Sequence, residues 1–158
     1  MKVADAAAGE YAVEHGLNHM VVELQRLIIR LSDVNNAKII VGVEELLTVI
    51  DDQGVMAATL LASPYSTHYE QKLRDWLKLL SNARKVLSAW LHCQQQWLRL
   101  RGVFNTEGIS SHLAAEIRYF AAIEATLKRA IHSVTVNPRL VDILRTEELG
   151  KRMYEMIV

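Results

Sequence analysis

Apolar side chains between Pro64 and Phe104 recur at alternating steps of four and three residues, the pattern of a helix that is buried along one side. Charged side chains fall between these steps and keep the opposite side in water. The pattern predicts one long helix over residues 66–101, about 54 Å in length at about 1.5 Å per residue. Its buried side, here called the seam, consists of Tyr69, Leu73, Trp76, Leu80, Ala83, Leu87, Trp90, Gln94 and Trp97.

The seam is interpreted as core packing. A cofactor site would need several polar side chains converging on the aromatic rings, and the seam offers only Gln94. That amide is expected to fix the register of packing at some cost in stability. Cys93, beside the seam, is expected to be a small packed side chain and not a reactive thiol. The residues predicted to form this structural site are Trp76, Leu80, Leu87, Trp90, Gln94, Trp97 and Phe104.

Further helices are predicted on both sides of the long one, each from three- and four-residue spacing of apolar side chains. They cover residues 6–31, 43–62, 114–134 and 139–158. The buried face of the second helix is predicted to hold Val43, Leu46, Leu47, Ile50, Val55, Met56, Leu60 and Leu61. That of the helix over 114–134 is predicted to hold Ile117, Phe120, Ala121, Leu127 and Ile131, with Ile123 and Ala130 beside it. Glu124 falls on the same face and is expected at its rim or paired.

A short β-hairpin is predicted between the first two helices, within residues 27–41. Lys38–Val41 is rich in β-branched side chains and is expected to pair back on Leu27–Arg30, with the turn at Ser32–Asn36. Such a hairpin is marginal alone and must rest on the helices. The predicted fold class is therefore mainly α: an elongated antiparallel helical bundle with one long central helix and a small hairpin.

Composition narrows the class of protein. The 158 residues are 51% hydrophobic and 23% charged, as in a folded domain, and 18 basic side chains balance 18 acidic ones. There is no basic excess to bind nucleic acid or an anionic membrane. The most apolar stretches are too short to span a bilayer, and no signal peptide is visible. A single cysteine fits a reducing compartment, so the expected location is the cytosol or a cytoskeletal structure within it.

Motifs for catalysis are absent from the sequence. No glycine-rich phosphate loop and no nucleophile elbow occurs. His15 and His19 stand one helical turn apart, but a metal site would need a third ligand, for which Glu14 and Glu23 are the candidates. Surface histidines explain this pair better. The chain is therefore expected not to be an enzyme, and no catalytic, cofactor-binding or metal-binding residue is predicted.

The C-terminal end lies inside an apolar helical pattern, at Glu155–Val158, without a cap or a polar tail. A complete domain normally closes its last helix. The chain is therefore expected to be a piece of something longer. An apolar surface around Leu149, Met153 and Ile157 is expected where the remainder would pack.

The seam carries a resemblance to a known family. Ser63-Pro64-Tyr65, Trp76-Leu77-x-x-Leu80, Leu87-x-x-Trp90-Leu91-x-x-Gln94-x-x-Trp97-x-x-Leu100 and Val103-Phe104 resemble the linker of the dynein heavy chain. The resemblance extends back to Glu10–Glu14 and forward to Pro138, so residues 1–158 are expected to be part of one linker. Two departures are Ala114, where the family often has proline, and the absence of the family's following basic-aromatic segment.

The resemblance implies a mechanical role. In this family the linker is a helical lever that lies over a ring of AAA+ modules and couples ATP hydrolysis to movement toward microtubule minus ends. The implied partners are that ring, the remaining linker, the intermediate and light chains, and microtubules. ATP and Mg²⁺ would be bound in the ring and not in this segment. The implied location is the cytoplasm and cytoskeleton, including the axoneme. The alternative is a free-standing helical scaffold or adaptor that binds protein partners.

Overall fold

The computed structural model describes residues 2–104, 114–145, 151–153 and 155. Helices dominate, as the sequence predicts, and one of them is 35 residues long. A two-stranded antiparallel sheet stands between the first two helices. In chain order the elements are α1 (Lys2–Arg26), β1 (Arg30–Val34), β2 (Ala37–Val41), α2 (Val43–Ala62), a 3-10 turn (Thr67–Tyr69), α3 (Glu70–Phe104), α4 (Ala114–Val136) and α5 (Leu140–Leu144).

The first helix ends five residues before the predicted residue 31, at Arg26. The chain leaves the helix because its next backbone groups pair with a distant segment. The Ile29 N–H donates to the Pro138 carbonyl at 2.8 Å, and the Leu140 N–H donates to the Leu27 carbonyl at 3.1 Å. These bonds tie the start of the hairpin to the start of α5. A long-range contact thus overrides a local apolar pattern that continues through Leu27 and Ile28.

The hairpin is present, but its first strand lies later in the chain than the predicted Leu27–Arg30, and its turn is shorter than the predicted one. β1 pairs with β2 so that Val34 faces Ala37 and Leu31 faces Ile40. The turn is only Asn35-Asn36, and both residues have positive φ, 50° and 64°. Two such residues make the tight turn that matches strand twist, and asparagine tolerates this backbone better than most residues. Ser32–Val34 therefore belong to the strand and not to the turn.

The buried face of α2 differs from the predicted one at its C-terminal half. Val43, Leu46 and Ile50 are buried as expected, but Val55 is 70% exposed and Met56 is 43% exposed. Steps of three and four residues from Ile50 lead to the buried Gln53 and Ala57. The prediction chose the more hydrophobic side chains, whereas burial in the folded helix follows the three- and four-residue spacing.

The buried face of α4 also differs from the predicted one. Ile117 is 47% exposed and Ala121 is also exposed, so their predicted burial was wrong. The buried apolar positions follow steps of four, three and four residues, at Ile123, Leu127, Ala130 and Val134, and Thr126 is also buried. Glu124 lies at the rim, where Lys128 stands 3.2 Å from its carboxylate, as the pattern required.

α3 runs past both hydrophobic clusters of the described structure. The larger cluster joins β2, α2, α4 and α5 around Trp90, and the smaller one joins α1 to α3 around Met20 and Leu73. Met153 is fully buried in the larger cluster, so its predicted exposure was wrong. Leu149 and Ile157, the other residues of that predicted apolar surface, lie outside the described residues.

Gly9 in α1 leaves room for the aromatic ring of Tyr65. A methyl group on Gly9 would overlap the Tyr65 side chain, whereas one on Gly54 in α2 would meet nothing within 4 Å. We expect Gly9→Ala to destabilise the fold by about 1–2 kcal/mol, because overpacking exceeds the gain in helix propensity. Gly54→Ala should stabilise it by about 0.5–1 kcal/mol. Urea unfolding of both variants measures the difference, and a Gly9→Ala variant as stable as Gly54→Ala would contradict the close packing.

Candidate functional site

The seam of α3 is the buried side of that helix over most of its length. Seven of its residues have less than a tenth of their surface exposed: Leu73, Leu80, Ala83, Leu87, Trp90, Gln94 and Trp97. Tyr69, at the end of the preceding turn, and Trp76 are half-buried. Phe104 is the last residue of α3, and its side chain lies outside the described residues. The structure thus places the described seam residues on one side of the long helix, which packs against α2 and α4 and is hydrogen-bonded to β2.

The three tryptophans of the seam differ in how their N–H groups are used. Trp76 Nε1 donates to Gln53 Oε1 at 3.2 Å. Trp90 and Trp97 are buried, and in the described structure their Nε1 atoms have no acceptor. These two rings therefore act on the fold through apolar packing and not through hydrogen bonds.

Gln53 is a buried residue of the site that sequence reasoning missed. Its Nε2 donates to the Met20 carbonyl at 3.1 Å and to Glu23 Oε1 at 3.3 Å, while its Oε1 accepts from Trp76. One amide therefore joins α1, α2 and α3. The available signal was its spacing, because position 53 lies three residues after the buried Ile50.

Gln94 joins α3 to the hairpin. Its Oε1 accepts from the Ile40 N–H at 2.8 Å, and its Nε2 donates to the Ile40 carbonyl at 3.1 Å. The side-chain amide thus pairs with one residue of β2 much as a neighbouring strand would. All of these groups are buried, so each replaces a bond to water that folding removes. The sequence indicated a register-fixing role for this residue, and the structure gives it a backbone partner.

Ion pairs at the surface also connect α3 to α2 and β1 to α2. Arg84 of α3 lies 2.6 Å from Asp51 of α2, and Arg30 of β1 lies 2.8 Å from Glu45 of α2. All four side chains are more than half exposed. Exposed pairs of this kind contribute about 0–1 kcal/mol each, so the buried contacts dominate.

Burial raises the pKa of two titratable groups, one in α3 and one in the turn before it. Desolvation raises the pKa of the Cys93 thiol, whose Sγ lies 3.7 Å from the Met153 carbonyl. A raised pKa disfavours the thiolate, as expected of a packed cysteine. Desolvation also raises the pKa of Tyr69, and the carboxylates of Glu14 and Glu10 add to that effect.

The histidine pair of α1 stands apart from the seam. His15 stacks on Tyr11 with ring centroids 6.0 Å apart, and His19 lies 3.9 Å from Glu23. Within the described ranges, no three His, Cys, Asp or Glu side chains are grouped to hold a metal ion. In the same ranges, no helix is both long and apolar enough to cross a membrane.

The long helix is held to its neighbours at two points along its length. α3 contains 35 residues and is therefore about 52 Å long. It is fixed near its start through Trp76 and Gln53, and nearer its end through Gln94 and β2. Close-packed interiors deform little under load.

Comparison with known proteins gives the family. The profile of the dynein heavy chain N-terminal region 2 matches residues 1–157. Human dynein axonemal heavy chain 1 is 28% identical over 144 residues, 90% of this chain and 3% of the relative. Mouse dynein axonemal heavy chain 1 is 27% identical over 150 residues, which are 94% of this chain and 4% of the relative. Human dynein axonemal heavy chain 6 is 28% identical over 146 residues, which are 90% of this chain and 3% of the relative. The chain spans only a few per cent of these relatives, and it belongs to the dynein heavy chain family, within the N-terminal region 2.

Proposed function

We propose that this chain is part of the mechanical linker of a dynein heavy chain. In this proposal it helps to form the lever that couples ATP hydrolysis in the AAA+ ring to minus-end-directed movement along microtubules. The observation that supports the role is the continuous burial of α3, which packs on its neighbours from Leu73 to Trp97. A lever needs this construction, because a loosely packed helix would bend locally and dissipate the stroke.

The partners follow from the same proposal. The nearest are the AAA+ ring and the remaining linker of the same heavy chain; intermediate chains, light chains and microtubules are reached through the parent complex. ATP and Mg²⁺ belong to the ring, and this segment is proposed to carry no catalytic residue. The similarity to axonemal heavy chains supports a location in the axoneme of a cilium or flagellum.

The first experiment measures the native product by immunoblot of source-cell extract, with an antibody raised against residues 74–99. A band far above 17.9 kDa that sediments with microtubules and is released by ATP is the expected result. A band at 17.9 kDa that ATP does not release from microtubules would contradict the motor proposal and favour the free-standing helical scaffold.

A second experiment tests the lever itself in the parent motor. Gln94→Leu loosens the joint between α3 and the hairpin, and Gln95→Leu changes the exposed neighbour as a matched control. We expect Gln94→Leu to slow microtubule gliding severalfold while basal ATP hydrolysis stays near that of the control. Equal gliding speeds in two folded variants would count against a role of this joint in force transmission.

A further inference from the structure

A cleft lies between the hairpin, the C-terminal part of α3 and α4, away from the Gln53 contacts. Its volume is about 300 Å³, at the lower end of the range for ligand pockets. The turn and the start of β2 form one wall. Leu127 and Ile131 of α4 supply apolar surface, and Trp97 and Arg101 of α3 line the cleft.

Two side chains of the cleft hold buried donors without an acceptor. Trp97 Nε1 and one terminal nitrogen of Arg101, Nη1, are both buried and unpaired in the described structure. The Arg101 guanidinium lies 5.5 Å from the centre of the Trp97 ring, so the ring holds it in place. An unpaired buried donor is costly, and a charged donor is more costly still. An acceptor supplied from outside would remove that cost.

The charges around the cleft favour an anionic acceptor. Lys38, Arg101 and Lys128 face a single carboxylate, Glu124, which Lys128 already approaches at 3.2 Å. Among the described residues, no ion pair involves Lys38 or Arg101. Two cationic side chains are therefore left to meet a ligand. Arginine matches a carboxylate best, because two parallel N–H groups can bind its two oxygens.

We propose that this cleft binds a short acidic segment of a partner protein, with one Asp or Glu carboxylate on Arg101 and a neighbouring apolar side chain on Leu127 and Ile131. Lys38 strengthens the attraction from the hairpin side. The assignment depends on the unpaired donors and on the charge of the cleft, and it holds whether or not this chain acts as a lever.

The test uses the whole 158-residue chain and a fluorescein-labelled peptide, acetyl-Gly-Leu-Asp-Glu-Leu-Gly-amide, with binding measured by anisotropy. The control peptide carries Asn and Gln in place of Asp and Glu. We expect the acidic peptide to bind at least about tenfold more tightly than the control peptide, since only it offers charged acceptors. Its binding should weaken as salt is added.

Matched variants locate the binding in the cleft. Arg101→Gln should weaken the acidic peptide about tenfold, whereas Arg99→Gln, an exposed change in the same helix turn outside the cleft, should leave it within about twofold. Lys38→Gln changes an exposed side chain of the hairpin and should weaken binding about threefold, which keeps the test available if Arg101→Gln unfolds. Equal binding of the two peptides, equal effects of Arg101→Gln and Arg99→Gln, or no saturable binding would each overturn the proposal.

Discussion

Replacing Trp90 with Ala is expected to lower the free energy of unfolding by about 3–5 kcal/mol. Trp90 is fully buried in the larger cluster, where α3 meets the rest of the fold. Removal of the indole leaves a cavity that the surrounding backbone of packed helices cannot close. Urea unfolding followed by circular dichroism measures the loss directly.

The control for this variant lies two residues along the same helix. His92 is exposed, so His92→Ala should change the stability by no more than about 0.5 kcal/mol. Trp90→Phe adds a second comparison, because it keeps an aromatic ring but removes an indole N–H that has no acceptor among the described residues. It should cost less than Trp90→Ala. A Trp90→Ala midpoint equal to that of His92→Ala would show that the seam is not the core of this fold.

Replacing Gln94 with Leu is expected to cost about 2–5 kcal/mol, although leucine is more hydrophobic and of similar size. The change leaves the N–H and the carbonyl of Ile40 buried without partners. Each unsatisfied buried group costs about 1–3 kcal/mol. Thermal or urea unfolding gives the total, and hydrogen exchange at the Ile40 amide shows whether that N–H has lost its protection.

The neighbouring residue again supplies the control. Gln95 is exposed, so Gln95→Leu makes the same chemical change without removing a buried hydrogen bond. Its effect should stay within about 0.5 kcal/mol. Gln94→Leu could instead prove as stable as Gln95→Leu, with the Ile40 amide still protected from exchange. In that case the side-chain amide of Gln94 would add nothing to stability, and α3 and the hairpin would be held together by apolar contacts alone.

The long helix could be predicted because its signal is repeated. From Leu73 to Trp97 the same three- and four-residue steps recur, so an error at one position does not change the result. The hairpin could be predicted because its β-branched strand and its Asn-Asn turn lie close together in the chain. Its limits could not, because the bonds from Leu27 and Ile29 run to residues 138–140, and local patterns contain no information about that contact.

The buried faces of α2 and α4 show a different limit. Hydrophobicity favoured Val55 and Ile117, yet the folded helices bury Gln53 and Thr126 and expose those two. Burial of a polar side chain requires hydrogen-bond partners, and those of Gln53 include Met20 and Trp76, 33 and 23 residues away. The structural site was therefore predictable along α3 and unpredictable where a second helix contributes to it.

The bond between Gln94 and Ile40 also determines which changes this joint tolerates. Gln94 forms its hydrogen bonds with the backbone at position 40, so any residue with a free N–H can make them there. Position 40 can exchange Ile for Val or Leu at the cost of packing alone, whereas proline would remove the donor. Position 94 has no such freedom: asparagine is one methylene shorter, and glutamate cannot donate to the carbonyl when ionised. Ile40 is buried in the larger cluster, so in a saturation mutagenesis experiment position 40 should accept other apolar residues except proline, whereas position 94 should accept little besides glutamine.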